Sequence, residues 1–313
     1  MPDQPFFMFI NYMEAHVLYW PPREYRRAFM DDLAVERSYD LLAERRDLHT
    51  VVTRELNLRG RDVLEKGDRQ ILRDLYDASI RYQDDRLAEL YDLLAQRGLL
   101  ADTLFVVVSD HGESLGEHDH WDHQWSVHNT LLHVPLLVRY PPSFGAQRVM
   151  RTVLTSDLFA TVADLCSLPI DAGTYKRWVK LGTDTVPERD RSIVSEYLAP
   201  YHSALRWAER NVRNFDAPRF SRSFRSVIVG KEKLIVGSDE SAAFFDLVED
   251  PYEVRSLAEE RPGSCKMLAI SLADWLARTP EYIPSADGEE EQLDSDDRDA
   301  IEALRSLGYV GQD

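Results

Sequence analysis

Apolar runs divide the N-terminal two thirds of the chain into strands separated by helical stretches. Residues 104–108 form an unbroken, mostly β-branched run, which favours a strand buried on both faces of a parallel sheet. Similar runs predict a buried strand at 6–10 and a third strand within 133–141. Apolar positions at helical spacing over 68–97 lead through Gly98 into the central strand, which is half of a βαβ unit. We therefore predict an α/β fold with a mostly parallel sheet flanked by helices.

The pattern changes near residue 200. Short apolar runs at 226–230 and 233–237 flank a two-residue polar turn, and a third run follows at 242–247. Closely spaced runs of this kind predict an antiparallel meander, followed here by helical stretches. We expect two domains, an α/β domain at 1–200 and a C-terminal subdomain at 201–313 with a small antiparallel sheet and terminal helices.

Composition narrows the classes of partner. The formal net charge is -18, with 55 acidic and 37 basic residues. Because such a surface repels nucleic acid and anionic membranes, we expect neither as a partner. Two cysteines are too few for a disulfide framework. No apolar run approaches the ~18–20 residues that span a bilayer, and no secretion signal is visible, so the expected location is cytoplasmic by default.

The candidate chemistry lies where the central strand ends. Asp110 and His111 follow this strand directly, and ligands collect at the carboxyl edge of open α/β sheets, so this pair is placed to hold a cation. His16 follows the predicted strand at 6–10, although taken alone it is better explained as a loop cap bonded to the backbone. Six of the nine histidines fall between positions 111 and 133. A solvated loop does not need such clustering.

Four separated blocks of sequence point to one family. They are residues 6–16 (FFMFINYMEAH), 109–118 (SDHGESLGEH), 133–139 (HVPLLVR) and 304–310 (LRSLGYV). In order and spacing these blocks resemble the sulfatase family of the alkaline-phosphatase superfamily. The resemblance implies an alkaline-phosphatase-like fold, a small sulfate ester (or the corresponding phosphate ester) as substrate, and one divalent metal ion.

The resemblance also implies roles for individual residues. Asp110 and His111 match the second half of the family's metal site, which usually holds Ca²⁺, while the histidine ligand leaves Mn²⁺ and Zn²⁺ as alternatives. His16 matches the histidine that contacts the sulfuryl group or the leaving oxygen, and His123 matches a basic position. Cationic donors would neutralise the sulfuryl oxygens, and an imidazole with a pKa near ~6.5 can protonate a departing alkoxide.

The other histidines of this stretch call for plainer interpretations. For His118 we expect an orienting role around the metal site rather than direct ligation. His120, His128 and His133 are expected to pack in the loop or lie on the surface. Glu113 is expected to be a structural hydrogen-bond acceptor rather than a metal ligand.

The sequence departs from the family pattern in one respect. It contains no strand ending in an Asp-Asp metal pair and no Cys-x-Pro-x-Arg motif, and Cys166 does not match that motif. We therefore expect the isolated chain to be inactive, with the rest of the site supplied by an N-terminal segment or a partner chain. We also expect an unpaired strand edge at 6–10 or 104–108. Two alternatives stay open: a phosphodiesterase or phosphonate-ester hydrolase of the same superfamily, and a non-catalytic metal- or anion-binding module.

Overall fold

A computed structural model describes residues 5–17, 19–44, 56–59, 64–65, 67–169, 181, 191–198 and 202–279. The helices are α1 (Arg23–Arg26), α2 (Asp32–Glu44), α3 (Asp68–Gln96), α4 (Asn129–Leu132), α5 (Asp157–Leu165), α6 (His202–Asn211), α7 (Ala217–Phe220) and α8 (Pro262–Leu276). The strands are β1 (Phe105–Val108), β2 (Ser114–Leu115), β3 (Trp121–Asp122), β4 (Leu136–Arg139), β5 (Ser192–Tyr197), β6 (Phe224–Val229), β7 (Glu232–Gly237) and β8 (Ala242–Asp246).

Helix α3 confirms the long amphipathic helix that the spacing predicts. Leu72 and Leu75 on its inner face are fully buried and belong to one apolar cluster with residues of α2. Asp68 in its first turn accepts hydrogen bonds from Arg37 on α2, and a carboxylate there also favours the positive end of the helix dipole. Gly98 takes the left-handed conformation just beyond the helix, with φ of 69°, which is the predicted C-terminal cap.

The central strand β1 pairs with β4, and the pairing is antiparallel, with Phe105 opposite Arg139 and Val108 opposite Leu136. The direction has a simple physical reason. Between the two strands the chain forms the β2–β3 hairpin and the four-residue helix α4, whereas a parallel return needs a long crossover, usually a helix. In the described residues, the part of the predicted sheet that contains β1 is a two-stranded antiparallel sheet of β1 and β4. The molecule as described is a mixed α/β structure. Among the described strands β1 has one neighbour only, so one of its edges is unpaired as expected.

The predicted buried strand at 6–10 is wrong for this structure. The segment has no regular structure, and Phe7 and Phe9 are 89% and 80% exposed. A strand needs a neighbour to satisfy its backbone hydrogen bonds, and none of the described strands pairs with this segment. An apolar run by itself does not supply that neighbour.

The C-terminal half of the described chain contains the predicted antiparallel sheet. Its strand order is β5-β6-β7-β8, and α8 packs on one face through Leu268 and Leu272 against Val227, Leu234 and Phe244. Strand β5 lies before residue 200 yet pairs with β6 along its whole length, so the predicted boundary at 200 would cut this sheet. The division into two domains stays a prediction, and the last predicted helix, at 300–307, lies outside the described residues. No helix in the described part of the chain is long and apolar enough to cross a membrane.

Candidate functional site

Three histidines that are distant in sequence meet beside β1. His16 follows a turn of the N-terminal segment, His111 follows β1, and His123 follows β3. The rings of His111 and His123 stack with centroids 4.3 Å apart, and the His16 ring lies 5.3 Å from that of His123. We call His16, His111 and His123 the first histidine group. The structure thus brings both predicted catalytic histidines close to one of the two predicted metal ligands.

Asp110 and His111, the two predicted metal ligands, lie close together in the turn after β1. Oδ1 of Asp110 accepts a hydrogen bond from the His111 backbone N–H at 3.0 Å, and Oδ2 lies 3.8 Å from Nε2 of the His111 ring. Nδ1 of His111 lies 2.8 Å from the Gly112 carbonyl oxygen and must carry the proton of that bond. The lone pair of Nε2 therefore faces the same side as the carboxylate, as metal ligation requires. This donor set fits part of the shell of a divalent cation, since Ca²⁺ takes about six to eight ligands.

His123 is held between two carboxylates. Its Nδ1 lies 2.8 Å from Oδ1 of Asp122 and 3.5 Å from Oε1 of Glu113, as charge contacts rather than well-aligned hydrogen bonds. Burial of the ring by itself would lower the pKa of His123, but the contacts with Asp122 and Glu113 outweigh it and raise the pKa to about 10. His123 is therefore a fixed cation at neutral pH.

Glu113 is the second carboxylate beside the His123 imidazolium. Its side chain is buried, and burial, followed by the charge of Asp122, raises the pKa of Glu113 while His123 opposes the rise. Burial and then Glu113 also raise the pKa of the Tyr19 hydroxyl, and they raise that of Tyr76 to about 12. Two neutral phenols and one imidazolium thus surround the carboxylate. The role as a structural hydrogen-bond acceptor expected of Glu113 stays a prediction.

Asp122 is the residue that sequence reasoning missed. It is fully buried, and its Oδ1 also accepts the backbone N–H of His123 at 2.7 Å. Glu113, Asp122 and His123 each place one atom within 4.8 Å of the others, which is close enough for a metal. We assign the cluster to charge balance instead, because the imidazolium already neutralises part of the carboxylate charge. The only sequence signal was the adjacency of Asp122 and His123.

His16 has the opposite protonation tendency to its neighbour. Burial first, and then the positive charge of His123, lower the pKa of His16, while a 3.3 Å contact of its Nδ1 with the Val17 carbonyl oxygen works the other way. A neutral imidazole therefore stands next to a cationic one. The two rings can bind one anion in different ways, the cationic ring through its charge and a neutral ring through a single N–H donor.

A second histidine group consists of His118, His120 and His128. His118 and His128 stack face to face at 3.8 Å, and Nδ1 of His128 lies 2.6 Å from the Ser126 hydroxyl. Burial dominates here and lowers the pKa of His120 to about 4 and that of His128 to about 3. For His120 and His128 this agrees with the predicted packing role, and His133 is exposed at the surface as expected. The orienting role predicted for His118 stays a prediction.

Gly112 lets the Asp110–His111 turn sit directly on helix α4. Its N–H donates to the Leu131 carbonyl oxygen at 2.8 Å. A Cβ added at this glycine would lie 2.1 Å from the Thr130 carbonyl oxygen, closer than any side chain tolerates. Glycine is therefore required here for close approach of two backbones.

The chain is similar to sulfatases in sequence and to sulfatases and phosphonate monoester hydrolases in structure. The model of the sulfatase family matches residues 1–168. A choline-sulfatase of Rhizobium meliloti is 30% identical over 209 residues, covering 64% of this chain and 36% of that protein. The chain thus spans about a third of the length of this relative. The solved structure of a phosphonate monoester hydrolase from Silicibacter pomeroyi aligns with a TM-score of 0.57 at 20% identity, over 84% of this chain and 50% of that one. A 2-O GAG sulfatase aligns with a TM-score of 0.56 at 17% identity, over 69% and 45%. These two structures support an alkaline-phosphatase-like fold.

Proposed function

The chain belongs to the sulfatase family, and from this membership we propose that its site takes part in hydrolysing the sulfate ester of a small molecule. One observation carries the proposal: the first histidine group brings a neutral and a cationic imidazole within 5.3 Å of each other, beside the Asp110–His111 turn. A sulfate ester presents anionic oxygens and one bridging oxygen, and these call for two different kinds of donor. The choline-sulfatase among the relatives is consistent with a small substrate.

Each side chain of the site has a proposed role. His123, balanced by Asp122 and Glu113, would bind the anionic sulfuryl oxygens through charge. With the anionic ester bound beside it, His16 would take up a proton, donate a hydrogen bond to the leaving oxygen as an imidazolium and transfer the proton there, which returns the ring to its neutral form. Because their ring centroids are 5.3 Å apart, both rings can reach one tetrahedral group.

Asp110 and His111 would be two of the ligands of a divalent metal ion, with Ca²⁺ as the first candidate and Mn²⁺ or Zn²⁺ as alternatives. When bound, the ion would supply positive charge for the oxygens of the ester. The free lone pair of Nε2 and the adjacent carboxylate oxygen, 3.8 Å apart, support this assignment. The remaining ligands would come from elsewhere.

The attacking group is not among the chemistry-bearing residues of this sequence. Cys166 is exposed just after helix α5, and Cys265 lies in α8. We propose that the nucleophile and the missing Asp pair come from a segment or partner chain beyond these 313 residues. The present chain would then supply the anion-binding part of the active site.

Binding measurements on the chain alone test the anion site. We expect calorimetry to detect inorganic sulfate in the presence of Ca²⁺, and His123→Gln to weaken this binding by about tenfold or more. His133→Gln, which changes an exposed histidine of the same stretch, serves as the control. Sulfate binding that is unaffected by His123→Gln would contradict the assignment of His123.

Turnover tests the reaction class. In a full-length or reconstituted protein, Asp110→Asn and His123→Ala should each abolish hydrolysis of an aryl sulfate, and retained turnover in both variants would overturn the proposal. A protein that hydrolyses a phosphonate monoester but no sulfate ester would support the phosphonate-hydrolase alternative. Metal binding by the bare chain that His111→Ala abolishes, with no turnover in any reconstitution, would support the binding-module alternative.

A further inference from the structure

A buried polar contact joins the C-terminal sheet to the region behind the site. Nζ of Lys233, on β7, lies 2.6 Å from Oε1 of Glu253, and both side chains are fully buried. The same Nζ donates to Oδ1 of Asn129 at 2.9 Å, and the Asn129 backbone N–H donates to Oε2 of Glu253. Asn129 is the first residue of α4, more than a hundred positions away in sequence from the other two. The contact therefore connects two distant parts of the chain.

This network costs free energy to bury, which argues for a specific role. Burial lowers the pKa of Lys233 even though Glu253 opposes the shift, so the amine stays desolvated beside its partner. Replacing a buried ion pair by apolar side chains is often neutral or stabilising. Glu253 also has a φ of 56°, a left-handed conformation that is unusual for glutamate. Directional contacts fix the relative position of two elements more tightly than apolar packing, which permits sliding.

Helix α4 also contacts the Asp110–His111 turn, which carries the candidate metal ligands. The Gly112 N–H donates to the carbonyl oxygen of Leu131. The backbones of Gly112 and Thr130 are so close that a Cβ added at Gly112 would lie 2.1 Å from the Thr130 carbonyl oxygen. The hydroxyls of Ser114 and Thr130 also lie 3.4 Å apart. A shift of α4 would therefore carry the turn with it.

We propose that Lys233 and Glu253 are positioning residues for Asp110 and His111, with the C-terminal sheet fixing the location of this pair through Asn129 and α4. The function of the pair itself rests on the proposed function above, but the mechanical link does not. The link predicts that weakening it at the Asn129 side chain loosens the turn and leaves the C-terminal sheet intact.

Amide hydrogen exchange on the chain alone reads this link directly. Asn129→Ala removes the side-chain acceptor for Lys233 but keeps the Lys233–Glu253 pair and the backbone N–H bond to Glu253, so the link is weakened by one of its two contacts and the sheet should remain folded. We expect the Gly112 amide to exchange about tenfold faster or more, while amides of the β6–β7 ladder keep their protection. Lys233→Met should have at least the same effect on Gly112. NMR should also show a changed ring signal for His111 in both variants.

Two further variants make the test specific. Lys231→Met removes a half-exposed lysine two positions away that pairs with Asp246 and does not contact α4, so Gly112 should keep its protection. Asn129→Asp keeps an oxygen acceptor for Lys233 and should restore the protection that Asn129→Ala loses.

Two outcomes would overturn the proposal. In one, Gly112 stays fully protected in Asn129→Ala. In the other, Asn129→Ala accelerates exchange equally at Gly112 and throughout the β6–β7 ladder, which would mean general destabilisation. Since the measurement uses neither metal nor substrate, it stands even if the assays of the proposed function fail.

Discussion

Two groups of three histidines lie in the same part of the molecule, and His123 of the first group differs sharply in its electrostatic surroundings from His120 and His128 of the second. In the first group, His123 contacts two carboxylates and its pKa rises to about 10. In the second group, burial lowers the pKa values of His120 and His128 to about 4 and about 3, and the charges of Arg219 near His120 and Lys233 near His128 add to this effect. The pKa of His118 is lowered as well, because burial outweighs the acidic Glu253 and Glu117 near that ring. The rings of both groups are partly or largely removed from solvent. Burial therefore does not decide which histidine is charged.

The difference shows what assigns a histidine to chemistry in this protein. Burial pushes His16, His118, His120, His123 and His128 toward the neutral form, and only at His123 do neighbouring carboxylates, Asp122 and Glu113, reverse that tendency. A basic neighbour adds to the effect of burial and makes the ring a packing element. Replacing the charged neighbours tests their effect on the histidines, beginning with the two carboxylates beside His123.

Removing both carboxylates should make His123 behave like a member of the second group. In the double variant Glu113→Gln, Asp122→Asn we expect the pKa of His123 to fall from about 10 to below its ordinary value of 6.5, because burial then acts unopposed. NMR titration of the ring measures this. Asp119→Asn, an exposed position in the same loop, is the matched control and should leave the titration unchanged. If the pKa of His123 stayed near 10 in the double variant, Glu113 and Asp122 would not be the groups that keep this ring charged.

A substitution at Gly112 displaces the Asp110–His111 turn and changes no charged group. It therefore tests the position of the turn separately from the electrostatics of the histidines. Gly112→Ala should destabilise the fold by about 2–3 kcal/mol, since the new Cβ would overlap the Thr130 backbone and force it to shift. Urea unfolding gives the value. Gly145→Ala provides the control, because nothing lies within 4 Å of a Cβ at that position. Equal stability of the two variants would mean that α4 does not support the turn as closely as described.

Acid should destabilise the protein through the second group. The folded pKa of His128 is about 3 against an ordinary 6.5, so between these values the unfolded chain binds one proton more, and stability falls as the pH falls. Between about pH 6 and about pH 5, His128→Gln should therefore lose less stability than the parent, by about 1.4 kcal/mol per pH unit at most. Urea unfolding at the two pH values measures this slope.

Gln124→Leu is the control for this slope. Gln124 carries a buried oxygen without a hydrogen-bond partner but does not titrate, so its replacement should change the stability and not its pH dependence. If His128→Gln kept the slope of the parent, the acid sensitivity would have to come from other groups.

Local patterns allowed much of the fold to be predicted. The period of apolar residues defines α3, and Gly98 marks its end, because a helix depends on contacts between residues close in sequence. The meander of β6, β7 and β8 follows for the same reason. The direction of the β1–β4 pair and the state of residues 6–10 depend on which strands are neighbours in space. Periodicity along the chain does not report this.

The site could be predicted in outline only. The family resemblance pointed to His16, Asp110, His111 and His123, and the structure brings the three histidines together. It did not point to Asp122 or to the contact of Lys233 with Asn129. A carboxylate next to a histidine occurs in many loops by chance, and two residues 104 positions apart share no local pattern. Such partners become visible only when the chain is folded.

The complete burial of the Lys233 amine has a consequence for chemical labelling. Acylating reagents need an accessible, unprotonated amine, so Lys231, which is 55% exposed at its side chain, should react readily and Lys233 should not. Both residues fall within one short peptide, so mass spectrometry can compare them directly. The rate at which Lys233 is slowly acylated would then measure how often the C-terminal sheet separates from α4. No label has to be introduced, because the protein already contains this lysine.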